Sequence, residues 1–260
     1  MIPDPTSREA RHREWFDAKA PSFADAVAIE LPFLGLDERA QERLNRFKWW
    51  ALSTDRLVEW HDREVLEFGA GQARFAVELP GYRSYLGIDY APNMVRIGQD
   101  RLQRLGLGDR ARLELGDCLE FDGPAESYDL VCGLGLLSYL DDIEAVIRKM
   151  AYHTRPGGSI LLDFRHATPV YTLIREVKWR VSAQTGGGNR GAVSKNTLRR
   201  MFKSAGMTDV TFVMREYPFL DELYSQRGWD RALDIRQALA RRSWLDWLGM
   251  IGFVAARKPT

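Results

Sequence analysis

Two cysteines, Cys118 and Cys132, are all that 260 residues contain. That is too few for a disulfide framework or a cysteine-built metal cluster, and a reducing, cytoplasmic setting is the resulting expectation. Charge of one sign is also missing. With 37 Lys and Arg against 36 Asp and Glu, the formal net charge is +1, so no global field would gather a polyanion and any nucleic-acid contact would rest on a local patch. Long apolar runs are absent. The longest, Trp247–Ala256, falls far short of the roughly 18 residues that a membrane-spanning helix needs. Residues 1–14 are charged with no apolar stretch behind them, so no secretory leader is expected. Repeats and low-complexity tracts are lacking too. What is present is 45% hydrophobic and 28% charged residues, the composition of an ordinary globular protein. The length suits one elaborated α/β domain, or one domain with a helical appendage.

From Glu64 onward short apolar runs alternate with amphipathic segments, the pattern that βαβ units leave in a sequence. Strands are expected at Val65–Gly69, Tyr85–Tyr90, Ala111–Asp117, Tyr128–Gly133, Ser159–Phe164, Asp209–Glu216 and Met250–Arg257. Ile143, Val146, Ile147 and Met150 recur at helical spacing, as do Leu198, Met201, Phe202 and Ala205. Asp141 and Ser194 are candidate N-caps, Arg155–Gly158 a stop for the first helix, and Gly206 a left-handed end for the second. Residues 1–63 break the alternation and read as a helical prelude, with Asp37 a candidate cap. Two further departures, about 165–193 and 217–249, read as inserted cap elements in a Rossmann-like domain over 64–260.

The stretch Val65-Leu-Glu-Phe-Gly-Ala-Gly-Gln-Ala-Arg74 runs from a strand through a glycine turn into a helix expected at Gln72–Leu79. Gly69 and Gly71 allow a tight turn and let a ligand approach bare backbone amides. A dinucleotide fingerprint needs a third glycine where Arg74 stands. Glu67, two residues before the first glycine, would repel a diphosphate and suits a ligand bearing an amino group. Asp89 ends the next strand eighteen residues beyond Gly71, where its two oxygens can accept from both hydroxyls of an unphosphorylated ribose. Asp117, in Leu115-Gly-Asp-Cys118, can take an exocyclic amine, with the following amide in reach of a ring nitrogen.

Over about Glu64–Phe164, and more loosely to the C-terminus, these motifs resemble those of the class I S-adenosylmethionine-dependent methyltransferases. The resemblance implies a doubly wound α/β fold with seven strands in the order 3-2-1-4-5-7-6, the last antiparallel, and helices on both faces. It also implies S-adenosylmethionine as cofactor. Carried over by motif, Glu67, Gly69, Ala70 and Gly71 face the methionine part, Asp89 with Tyr90 the ribose, and Asp117 with Cys118 the adenine. Leu134 completes the cofactor set, and no metal is implied. The family's third glycine is Ala73 here.

Ligands of open α/β sheets lie beyond the carboxyl ends of the strands, which nominates Leu134–Tyr139 and Arg165-His166 to face a small-molecule methyl acceptor. His166 and Tyr139 are the candidate catalytic residues, as a base for an acceptor that must lose a proton. His153, inside the first helix, is set aside, and Asp129 reads as a strand-start residue. Trp15, Phe16 and Phe23 fit either a cover over the cofactor or packing between helices. Trp244, Leu245, Trp247 and Leu248, interleaved with Arg236, Arg241 and Arg242, fit packing on the sheet, a substrate cap or peripheral membrane contact. Lys195, Arg199, Arg200 and Lys203 read as a solvated helix face.

The expected activity is methyl transfer to an O or N nucleophile of a natural product, sugar or lipid-like metabolite. Nucleic-acid bases are disfavoured, because Gly133–Tyr139 replaces the Asn/Asp-Pro-Pro-Tyr/Phe motif that stacks a flipped base. Two alternatives stay open: an NAD(P)-dependent oxidoreductase, which Arg74 opposes, and a non-catalytic cofactor-binding scaffold.

Overall fold

A computed structural model describes residues 8–23, 57–78, 81–168, 192–216 and 251–260. The expected strands form one sheet. β1 (Glu64–Phe68), β2 (Ser84–Asp89), β3 (Ala111–Leu115), β4 (Tyr128–Gly133) and β5 (Thr154–His166) are parallel, in the order β3-β2-β1-β4-β5. A two-residue strand, β6 (Ala192–Val193), pairs with Arg165 and His166 of β5. Beyond β5, β8 (Ile251–Arg257) runs antiparallel between β5 and β7 (Thr208–Glu216). Leaving β6 aside, the order is the expected 3-2-1-4-5-7-6, with the last strand antiparallel.

Among the described residues the helices are α1 (Arg8–Phe23), α2 (Arg74–Glu78), α3 (Pro92–Arg104), α4 (Ile143–His153) and α5 (Lys195–Ser204). Among the described residues no helix is long and apolar enough to cross a membrane. Side chains alternate across a strand, so the sheet feeds two cores. On one face Leu66, Phe68, Ile88 and Val131 pack with Val146, Ile147 and Met150 of α4 and with Leu198 and Phe202 of α5. On the other, Val65, Tyr85, Leu130 and Cys132 pack with Phe75 of α2 and Leu102 of α3. Burial on both faces explains why the central strands read as unbroken apolar runs.

Several boundaries differ from expectation. An eighth strand is present, because β6 is too short for a period-2 pattern to show in sequence. β3 stops at Leu115, which leaves Gly116 and Asp117 beyond the sheet edge, and α2 starts at Arg74 rather than Gln72. Asp142, not Asp141, caps α4, its carboxylate accepting from the Ala145 amide at 2.8 Å. Arg155–Gly158 lies inside β5, where Gly157 at φ +75° accompanies a register shift against β4. Ser194 caps α5 as expected and Gly206 has φ +77°. Lys195 and Arg199 are not merely solvated: both lie over the Phe212 ring, at 5.4 and 4.8 Å. Asp129 starts a strand, accepting from the Glu64 amide at 2.9 Å and pairing with Arg63 and Arg155. Asp37, most of the prelude and most of both inserted caps, Trp244–Leu248 included, lie outside the described residues.

Candidate active site

β1 hands the chain to a turn over Gly69–Ala73 in which Gly69, Gly71 and Ala73 all have positive φ, at +70°, +51° and +57°. Ala73 thus holds the left-handed conformation of the missing third glycine, at a cost of about 1 kcal/mol. The Gly69 and Ala70 amides both donate to the Ile88 carbonyl, at 2.8 and 3.1 Å, which ties the turn to the end of β2. A Cβ on Gly71 would meet nothing within 4 Å, whereas one on Gly69 would stand 3.0 Å from Leu136 Cδ1. The turn is therefore open over Gly71 and covered over Gly69.

Asp89 organises the next layer. Its Oδ2 accepts from the Gly71 amide at 2.8 Å and its Oδ1 from the Ala91 amide at 2.9 Å. A carboxylate offers about four lone-pair positions, so two donors of this kind leave acceptor capacity on both oxygens. The side chain is only 7% exposed. Burial pushes its carboxyl up from the ordinary value, against the amides of Ala91, Gly71 and Tyr90, which favour the ionised form. The Gly116 amide donates to the Asp89 carbonyl at 2.9 Å and so draws the end of β3 to the same place. There Asp117 accepts from the Leu119 amide at 2.8 Å, with Cys118 half-buried beside it. Glu67 lies beneath the turn, buried, its Oε2 taking the Tyr85 hydroxyl at 2.5 Å. Arg74, at the third-glycine position of a dinucleotide motif, bonds Glu78 one helical turn on at 2.7 Å.

α1 lies across these strand ends. Gln72 Nε2 donates to the Ala20 carbonyl at 2.7 Å, and Phe16 and Ala20 cluster with Tyr90, Ala91 and Met94. Asp17 accepts from the Asn93 amide at 2.6 Å and from its side-chain amide at 3.0 Å. That contact supplies α3 with a cap that its own Ala91 does not provide. Tyr139, in the short 3₁₀ turn Leu137–Tyr139, meets the edges of Phe16 at 4.9 Å and His12 at 5.4 Å.

The structure therefore brings Glu67, Gly69, Ala70, Gly71, Asp89 and Tyr90 together, with Asp117 and Cys118 at the adjoining strand end. Leu134 packs on the core face beneath. Tyr139 joins this group through α1. His166 is placed at the tip of β5, its ring 5.9 Å from Phe164 and its backbone paired with Val193. Residues that sequence reasoning missed hold these parts in place. Gln72, Asp17 and Asn93 join the turn, α1 and α3. Tyr85 fixes Glu67. Buried Asp163 accepts from the Gly135 amide at 2.6 Å and anchors the loop between Leu134 and Tyr139. Only Asp163 left a signal, as an acid inside the apolar run Leu161–Phe164.

Residues 66–160 match the family model described as a methyltransferase domain. The phosphatidylethanolamine N-methyltransferase of Cereibacter sphaeroides is 31% identical over 101 residues, covering 38% of this chain and 48% of that protein. The chain thus spans about half the length of that relative. The demethylmenaquinone methyltransferase of Corynebacterium glutamicum is 25% identical over 218 residues, covering 81% of this chain and 83% of the relative. Among solved structures, geranyl diphosphate C-methyltransferase from Streptomyces coelicolor superposes with a TM-score of 0.65 at 13% identity, covering 97% of this chain and 98% of that one. That structure holds Mg2+, geranyl diphosphate and S-adenosyl-L-homocysteine. The family match over residues 66–160 and the fold together support a class I S-adenosylmethionine-dependent methyltransferase.

Proposed function

We propose that this protein transfers the methyl group of S-adenosylmethionine to a nucleophilic O or N of a small natural product, sugar or lipid-like metabolite. The observation that carries the reading is Asp89, clamped by the Gly71 and Ala91 amides with acceptor capacity left on both oxygens. The residues fit the cofactor. The open face of the turn at Gly71 admits its methionine part, Asp89 receives the two ribose hydroxyls, and Asp117 with the Cys118 amide receives adenine. Glu67 faces the amino end, while Tyr90 and Leu134 wall the site. When bound, the cofactor supplies an electrophilic methyl group on a positively charged sulfur.

The chain's own contribution is placement and exclusion of water. Holding donor and acceptor in line is worth about 7–11 kcal/mol in favourable model reactions. α1 serves as the lid, with Phe16 and Tyr139 closing its inner edge. An acceptor that must lose a proton needs a base, and Tyr139 and His166 are the candidates from the two strand ends that face it. A carbon acceptor is the second reading, favoured by the C-methyltransferase among the structural neighbours.

Calorimetric titration with S-adenosylhomocysteine and, separately, NADH tests the cofactor assignment. Saturable binding of the first alone is expected, and binding of NADH alone would restore the oxidoreductase reading. Asp89→Ala is expected to weaken S-adenosylhomocysteine by about tenfold or more, the usual loss when a charged hydrogen-bond acceptor is removed. Unchanged affinity would remove the ribose assignment. Transfer of labelled methyl to a panel of phenols, amines and enolisable carbonyls then separates enzyme from scaffold.

A further inference from the structure

We propose that Tyr85 is a positioning residue for the amino-acid end of the cofactor, acting through Glu67; this rests on the cofactor assignment above. Glu67 and Gly87 are register partners on β1 and β2, and Tyr85 lies two residues before Gly87, on the same face of the sheet. The tyrosine ring reaches Glu67 because Gly87 carries no side chain. A Cβ there would stand 2.8 Å from the Tyr85 hydroxyl oxygen and 2.6 Å from the Ala70 Cβ. The glycine thus keeps open a path that runs from Tyr85 to the underside of the Gly69–Ala73 turn.

The contact is short, at 2.5 Å between hydroxyl and carboxylate oxygens, and both residues are almost fully buried, at 2% and 3% exposed. Burial and the adjacent Glu67 hold the Tyr85 phenol far above its ordinary pKa, so Tyr85 is the donor. Cys132, the register partner of Glu67 on β4, is held protonated by burial and by the same carboxylate. Phe75, one residue into the helix that follows the turn, stacks on the Tyr85 ring at 6.3 Å, and Tyr82 lies tilted against it at 5.7 Å. The phenol is thus fixed by packing and fixes one carboxylate oxygen in turn. This sets the direction in which Glu67 presents its charge to an ammonium group arriving over the turn. The nucleoside end of the ligand, held at Asp89 and Asp117, is beyond its influence.

Two ligands separate these ends. S-adenosylhomocysteine carries the amino acid, and 5′-methylthioadenosine carries the same nucleoside and sulfur without it. In Tyr85→Phe, calorimetry is expected to show S-adenosylhomocysteine weakened by about tenfold, the ordinary loss of a hydrogen bond to a charged group. Affinity for 5′-methylthioadenosine should stay within about twofold. In a Glu67→Gln background, removal of the hydroxyl should cost S-adenosylhomocysteine nothing further. Equal loss for both ligands would mean a merely structural tyrosine and overturn the proposal, as would no loss for either. Failure of the unaltered protein to bind S-adenosylhomocysteine would overturn the cofactor assignment and this proposal with it.

Discussion

Gly98 sits midway along α3, where alanine would ordinarily improve a helix by about 1 kcal/mol. Here the sign should reverse. A Cβ on Gly98 would stand 2.4 Å from Leu113 Cδ1 and 2.9 Å from both Cα and the carbonyl carbon of Gln72. The leucine tip can swing aside, but Gln72 is backbone in the turn that carries Gly71, and it can yield only by moving the turn. Overpacking of this kind costs about 1–3 kcal/mol. Set against the helix gain, the net loss is on the order of 1 kcal/mol. The displaced turn should also lengthen the 2.8 Å bond from the Gly71 amide to Asp89, so affinity for S-adenosylhomocysteine should drop severalfold. Urea unfolding and calorimetry on Gly98→Ala measure both quantities. A variant more stable by about 1 kcal/mol with unaltered affinity would refute the argument, because it would mean that α3 and the turn do not bear on each other as described.

Two other outcomes follow from single contacts. Asp17→Ala removes the cap that α1 lends to α3; a loss of about 1 kcal/mol is expected, with faster release of S-adenosylhomocysteine in stopped-flow measurements, and an unchanged release rate would count against α1 as a lid. His153 is buried among Phe121, Tyr128 and Tyr152, its Nδ1 at 3.0 Å from the Pro124 carbonyl and its Nε2 without a hydrogen-bond partner among the described residues. Burial holds its imidazole below the ordinary 6.5, so below that pH the unfolded chain binds a proton that the folded chain resists. The stability contribution is complete above about pH 6.5 and drains away as the pH falls. His153→Phe should flatten this slope in urea midpoints compared at pH 8 and pH 5, at a cost of about 1 kcal/mol at pH 8 for the lost hydrogen bond; an unchanged slope would show that another group sets it.

How much of this was legible in the sequence depends on whether the chain or a partner far along it sets the geometry. The Gly69–Ala73 turn and Asp89 were readable because each is local: glycines at the end of an apolar run, then an acid at the end of the next. The order of the strands is not local and followed only from the family resemblance. Ala73 shows how far such reading holds. The residue departs from the family pattern, yet the backbone keeps φ +57°, since its own amide closes on the Ala70 carbonyl while the amides of Gly69, Ala70 and Gly71 are committed to Ile88 and Asp89. The cap of α4 shows a smaller limit, for Asp141 and Asp142 are chemically equivalent candidates and only the register that buries Val146, Ile147 and Met150 chooses between them. Asp17 and Asn93 stand 76 residues apart, and Gln72 and Ala20 stand 52 apart, so no window on the sequence contains either contact. Gly87 and Gly98 are the most instructive misses. In sequence each is a weak point in a strand or a helix. In the fold each is the space that something else occupies, the Tyr85 phenol in one case and the backbone of the Gly69–Ala73 turn in the other. The meaning of a glycine beside this turn therefore lies in its neighbours, and substitutions at Gly87 and Gly98 test the proposed site as directly as substitutions of Asp89 or Asp117.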